Sequence, residues 1–108
     1  MVMEEWVPVL DEKVLDENFG VCVAPKGLPV LMMKRYGQIF ALSNRCPHMG
    51  CALAGGPMDG YLLTCPCHDW QFDIRTGMMV EGNNGIILKS YEWRIDSGKI
   101  SIKVGGDR

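Results

Sequence analysis

Four of the chain's five cysteines and both of its histidines fall between Cys46 and His68, a window of 23 residues. The first group reads Cys46-Pro47-His48-Met49-Gly50-Cys51. After thirteen further residues the second reads Cys65-Pro66-Cys67-His68. Thiolate and imidazole are both good ligands for iron, zinc and copper. A Cys-x-His spacing puts two donors on one tight loop, and Cys-x-x-His does the same on the other. Each loop can then grip one metal, or one end of a binuclear cluster. Pro47 and Pro66 stiffen the loops by fixing the backbone. Each loop also carries a second cysteine, Cys51 and Cys67.

Four chemistries compete for these residues. Core cysteines beside incidental histidines would leave the echoed spacing without a cause. A structural zinc site usually pairs two cysteines in one knuckle with two histidines in another, whereas here each loop supplies one of each. A thiol–disulfide catalyst would use the close Cys65/Cys67 pair but gives neither histidine a role. An iron–sulfur cluster with mixed ligation uses a cysteine and a histidine from each loop.

The rest of the chain must hold the two loops face to face. Glu5-Trp6-Val7-Pro8-Val9 reads as an edge strand, since Pro8 removes a ladder donor. Asp11 to Asn18 is polar and reads as a helical turn or loop. Val21 to Ala24 is a strand stopped by Pro25-Lys26-Gly27. Pro29 to Arg35 is a nearly continuous apolar run, which Tyr36-Gly37-Gln38 turns into Ile39-Phe40-Ala41-Leu42 as a hairpin. Asp59-Gly60 is a tight-turn dipeptide ahead of Tyr61-Leu62-Leu63-Thr64, which delivers Cys65. Trp70 to Asp73 is a return strand, and Met78 to Gly85 reads as a loop. At the C-terminus Tyr91, Trp93 and Ile95 alternate with polar residues, as do Ile100, Ile102 and Val104 after the turn Asp96-Ser97-Gly98-Lys99. That pattern is a hairpin with one buried face. No segment sustains a 3.6-residue period. Eight or so short strands predict an all-β fold, an antiparallel sandwich or small barrel.

Composition narrows the setting. The 108 residues fit one domain, and 47% hydrophobic content fits a folded one. With a net charge of −2 and dispersed basic residues, nothing marks a nucleic-acid surface. The acidic start Met1-Val2-Met3-Glu4-Glu5 lacks signal-peptide character, and no apolar run approaches a membrane span. The expectation is a cytoplasmic protein with no membrane partner. In such a protein five cysteines point to metal or redox chemistry rather than a secreted disulfide framework.

Cys46-x-His48, sixteen intervening residues and Cys65-x-x-His68 together resemble the signature of the Rieske proteins. These hold a 2Fe–2S cluster in which two histidines replace two cysteines on one iron. The likeness extends to Gly60-Tyr61 and to Phe72-Asp73-Ile74-Arg75-Thr76-Gly77. It implies that Cys46 and Cys65 bind an inner iron, and His48 and His68 an outer one. It also implies a Rieske-like antiparallel β sandwich over residues 1–108, with a cluster-binding subdomain at about residues 43–72 inserted in the β base. Cysteines at the positions of Cys51 and Cys67 form a disulfide in the quinol-oxidising branch of the family, so the resemblance implies a Cys51–Cys67 disulfide here. That branch also has hydroxyl donors after the second histidine. Here their positions hold Trp70 and Phe72, and Asp69 adds negative charge. The expected potential therefore lies toward the lower end of the Rieske range.

By resemblance the function is electron transfer, not catalysis. The first reading is a monomeric soluble ferredoxin between a flavin-dependent reductase and a terminal oxygenase or other reductase. The alternative is a non-catalytic Rieske subunit of a larger oxidoreductase complex. Among the remaining residues, Cys22 is expected to be a buried thiol. Met49, Leu53 and Trp70 are expected to form an apolar rim for a partner, and Met78 to Gly85 to shield the cluster's third side.

Overall fold

The computed structural model describes residues 5–17, 20–46, 51–67, 70–80 and 86–104. These contain nine strands: β1 (Glu5–Asp11), β2 (Val21–Val23), β3 (Val30–Arg35), β4 (Gln38–Ser43), β5 (Met58–Asp59), β6 (Leu62–Thr64), β7 (Gln71–Asp73), β8 (Trp93–Asp96) and β9 (Lys99–Val104). They form three antiparallel sheets, ordered β1-β9-β8, β2-β3-β4 and β5-β6-β7. The only helical pieces among them are two 3-10 turns, at Glu12–Val14 and Pro25–Gly27.

The first two sheets share one core, and the reason lies in their alternation. Val30 and Met32 of β3, Ala41 of β4 and Ile100, Ile102 and Val104 of β9 all point into it. The odd-numbered neighbours on β3, Leu31 and Met33, point the other way into a second core with Leu53, Leu63, Phe72 and Ile74. β3 is thus buried on both faces, which explains why its sequence is a continuous apolar run rather than an alternating one. It is the wall between the base and the small third sheet. The segment after residue 88 joins the base by pairing with β4: Ser43 N–H donates to the Lys89 carbonyl and Tyr91 N–H to that of Ala41, both at 2.8 Å.

Three sequence expectations need adjusting. β1 is an edge strand but runs seven residues, and its register shifts between Pro8 and Leu10, beside the proline that cannot donate. The C-terminal hairpin buries Ser101 as well as Ile100 and Ile102, but Ile95, expected on the buried face, is exposed. Ser101 lies between Pro8 and Arg94 in the register, and the Arg94 guanidinium reaches over to the Trp6 ring at 4.4 Å, covering what would otherwise be the open face. Cys22 is exposed, not buried. β2 is an edge strand whose Val21 and Val23 face the base core, so alternation turns Cys22 outward. Its sulfur meets the Asn44 side-chain amide at 3.3 Å.

Candidate metal centre

The first Cys/His loop leaves the end of β4. Asn44 N–H donates to the Pro29 carbonyl at 3.0 Å, which pins the exit from the strand. The Asn44 side-chain oxygen then accepts from the N–H groups of Leu53 and Ala54, at 3.0 and 2.8 Å. Arg45 bridges to Ala52, and Cys46 N–H donates to the Cys51 carbonyl at 2.7 Å. The loop is therefore closed at its neck by backbone bonds and braced outside by one amide side chain.

The second loop leaves β6 and returns through β7. Thr64 pairs with Gln71, and Cys65 N–H donates to the Trp70 carbonyl at 2.7 Å. In both loops the leading cysteine's N–H reaches the carbonyl five residues on. The sequence echo is thus matched by a backbone echo. Between the two necks lies the 53–57 turn, pressed on β6 so closely that a Cβ at Gly56 would overlap the Thr64 carbonyl.

The two leading cysteines lie in one core. Cys46 and Cys65 are 1% and 0% exposed, lie outside any disulfide, and belong to the same apolar core as Leu53, Leu63 and Phe72. Cys51 and Cys67 are joined to each other by a disulfide, with their Cα atoms 6.5 Å apart. So the four cysteines separate into an inner pair of thiols and an outer cross-link. His48, His68, Met49 and Asp69 lie outside the described residues. The described half of the donor set fits an iron–sulfur group: two soft thiols, kept dry by apolar neighbours, at matched positions on two tied loops.

Neighbouring residues resolve the other expectations. Leu53 is fully buried and cannot line a docking rim, because the Asn44 bonds draw its backbone inward. Trp70 is half-buried against the second core, its ring 6.5 Å from that of Phe72. The segment after Gly77 runs beside β7, with Val80 N–H donating to the Gln71 carbonyl at 2.8 Å. Residues 81–85 of that segment lie outside the described residues.

Asn44 was not singled out by the sequence reading. Its signal was faint: a short amide directly after an apolar strand and two residues before a ligand-type cysteine. The sequence places Asp73 at the end of a return strand and gives neither it nor Arg75 a role of its own. Arg75 donates to both carboxylate oxygens of Asp73, at 3.0 and 2.8 Å, and its guanidinium lies 4.4 Å over the Tyr61 ring. The hydrogen bond from the Arg75 side chain holds the Asp73 carboxyl below its ordinary value.

Comparison with known proteins gives the family. The family model for the Rieske [2Fe-2S] domain matches residues 5–92. The ferredoxin component of the alkene monooxygenase system of Xanthobacter autotrophicus is 32% identical over 75 residues, 68% of this chain and 60% of that protein. The ferredoxin component of the naphthalene 1,2-dioxygenase system of Pseudomonas aeruginosa is 24% identical over 99 residues, 92% of this chain and 95% of that protein. Among solved structures, the Sphingomonas yanoikuyae B1 ferredoxin superposes with a TM-score of 0.82 at 26% identity, covering 91% of this chain and 97% of its own. On its sequence match, its three antiparallel sheets and its paired cysteine loops, the chain belongs to the Rieske [2Fe-2S] domain family.

Proposed function

We propose that Cys46 and Cys65 hold the inner iron of a Rieske cluster and His48 and His68 the outer iron, with Cys51–Cys67 tying the two loops together. In this reading the chain is a single domain, and residues 43–72 form the cluster-binding subdomain on a β base. The observation that supports it best is the pair of buried thiols, Cys46 and Cys65, at the matched necks of the two loops.

The cluster, when bound, supplies a one-electron couple. The protein's part is to hold it. The two cysteine thiolates enter from the buried side, where Leu53, Leu63 and Phe72 keep water away. The disulfide and the Asn44 bonds keep the loops from separating as charge changes.

The chain is an electron carrier of the ferredoxin kind, without catalysis of its own. By likeness to ferredoxin components of oxygenase systems, its partners are redox proteins: a flavin-dependent reductase upstream and a terminal oxygenase or other reductase downstream. Among the described residues no helix is long and apolar enough to cross a membrane, and we place the protein in the cytoplasm. The disulfide favours a second reading, a Rieske subunit of a larger oxidoreductase complex, because the quinol-oxidising branch carries that cross-link.

The test is reconstitution and EPR of the reduced protein. Mixed thiolate and imidazole ligation is expected, with loss of the cluster in Cys46→Ser and Cys65→Ser. A spectrum typical of four-cysteine ligation, or stoichiometric zinc in place of iron, would end the assignment. Reduction of the isolated chain by a generic flavin-dependent reductase separates a free carrier from an obligate subunit.

A further inference from the structure

Tyr36 sits where a bulky side chain is seldom found. It is the first residue of the two-residue turn joining β3 to β4, with φ 51° there and 77° at Gly37. Both positions of such a turn are left-handed, which favours Asn, Asp or Gly at the first. Core burial does not explain the choice, since Tyr36 is 62% exposed. A strained residue kept without burial points to a task for its side chain.

Its contacts show the task. The Tyr36 ring meets the Tyr61 ring edge-on at 5.0 Å. Phe40 meets Tyr61 from a second direction at 6.2 Å, and Arg75, held by Asp73 at the end of β7, covers it at 4.4 Å. Beside them Arg35 donates to the Gly60 carbonyl at 2.8 Å. The turn itself is anchored from behind, because the N–H groups of Tyr36 and Gly37 donate to the two carboxylate oxygens of Glu17, each at 2.7 Å. The three contacts to the Tyr61 ring and the Arg35 bond converge on Gly60-Tyr61, the turn that starts β6. Cys65 follows the other end of β6. Tyr61 and Cys65 thus bracket one three-residue strand, roughly 13 Å apart at the usual strand rise.

We propose that Tyr36 is a positioning residue: through Tyr61 it fixes the tilt of β6 on the base, and so the place of the Cys65 thiolate in the cluster site. The inference rests on Cys65 being a ligand. Tyr36 is exposed, so replacing it leaves both cores intact. A purely structural turn would be improved by Asn, which suits the left-handed position. The positioning role makes the opposite demand.

The experiment compares holoprotein carrying Tyr36→Asn, Tyr36→Phe and Cys65→Ser. Tyr36→Asn is expected to keep or raise the thermal midpoint. It should also release iron to a chelator roughly three- to tenfold faster, from loss of one aromatic pair. Its EPR lines should broaden, and the Ile74 amide, which donates to the Tyr61 carbonyl at 2.9 Å, should exchange faster. Tyr36→Phe keeps the ring and should restore wild-type behaviour in all three. Wild-type iron release, line shape and Ile74 exchange in Tyr36→Asn would overturn the inference, as would a Tyr36→Phe variant no better than Tyr36→Asn. Cys65→Ser tests the ligand reading separately: a full cluster in that variant removes the ligand assignment whatever Tyr36 does.

Discussion

The side-chain oxygen of Asn44 accepts the backbone N–H of Ala54 at 2.8 Å, across the base of the first cysteine loop. The same oxygen takes the N–H of Leu53, so one amide ties both ends of the 44–54 segment. Replacing it by alanine leaves these donors without the side-chain acceptor in a half-buried place. Asn44→Ala is expected to cost about 1–3 kcal/mol of stability, read from urea unfolding at constant m-value. Asn44→Asp keeps the acceptor and should lose much less. Equal losses in the two variants would show that the oxygen is not what matters.

How much of this was legible in the sequence depends on the range of the signal. The cysteine and histidine spacing is local, so the proposed donor set can be drawn up without a fold. The strands and hairpins around it are legible for the same reason, since most carry their own alternation or turn residues. β3 shows the limit. Its unbroken apolar run announces burial on both faces, but not that the two faces belong to different cores. Cys22 and Leu53 show it again. An apolar neighbour on either side suggested burial for Cys22, and only the edge position of β2 turns it out. Leu53 looked like a rim residue until Asn44, nine positions earlier, drew it inward. Properties set by partners distant in sequence were the ones misread.

The exposed place of Cys22 makes a direct prediction. Alkylation of the folded holoprotein without reductant should label Cys22 alone, since Cys46 and Cys65 are buried and Cys51 and Cys67 are cross-linked. Peptide mapping by mass spectrometry reads the site. Cys22→Ser should shift stability by no more than about 0.5 kcal/mol, as for other surface replacements. A buried thiol would give the reverse, with no label and a larger loss.

The Cys51–Cys67 cross-link spans a sequence separation of 16 residues. Constraining the unfolded chain over a loop of that size is worth roughly 3 kcal/mol in the chain-entropy treatment. The paired replacement Cys51→Ala with Cys67→Ala should lose about that much, and dithiothreitol should destabilise wild type but not the double variant. Wild type insensitive to dithiothreitol at full reduction, verified by mass, would show that the cross-link contributes little.

Asp73 gives the molecule an acid-side dependence. Its carboxyl titrates below the ordinary aspartate value because Arg75 donates hydrogen bonds to the charged form. A depressed folded value stabilises the native state above the unfolded value of about 3.9, and the contribution disappears as pH falls through the folded value. Asp73→Asn should therefore be less stable than wild type at pH 6, and the gap should close as the pH is lowered toward the acid limit. Urea midpoints across that range measure it. A gap of constant size at every pH would mean that the carboxylate charge is not the source.

Phe72 sets up the last prediction, because its position carries a hydroxyl in the high-potential Rieske branch. Here the ring is fully buried, facing Leu63 across the β6–β7 pair and 6.5 Å from Trp70. A phenylalanine donates no hydrogen bond, so one means of raising the potential is missing. The wild-type potential is expected toward the lower end of the range of about −150 to +300 mV, and protein-film voltammetry giving more than about +200 mV would refute that. Phe72→Tyr adds a phenol in a site too dry to hydrate it, so the hydroxyl must find a protein or cluster acceptor or destabilise the fold. If it reaches a cluster sulfur, a bond of about 1 kcal/mol favouring the reduced state raises a one-electron potential by roughly 40 mV. An unchanged potential in a fully loaded, stable Phe72→Tyr protein would place the hydroxyl away from the cluster. A low potential would then rest on the donor missing at Trp70 and on the charge around the second loop.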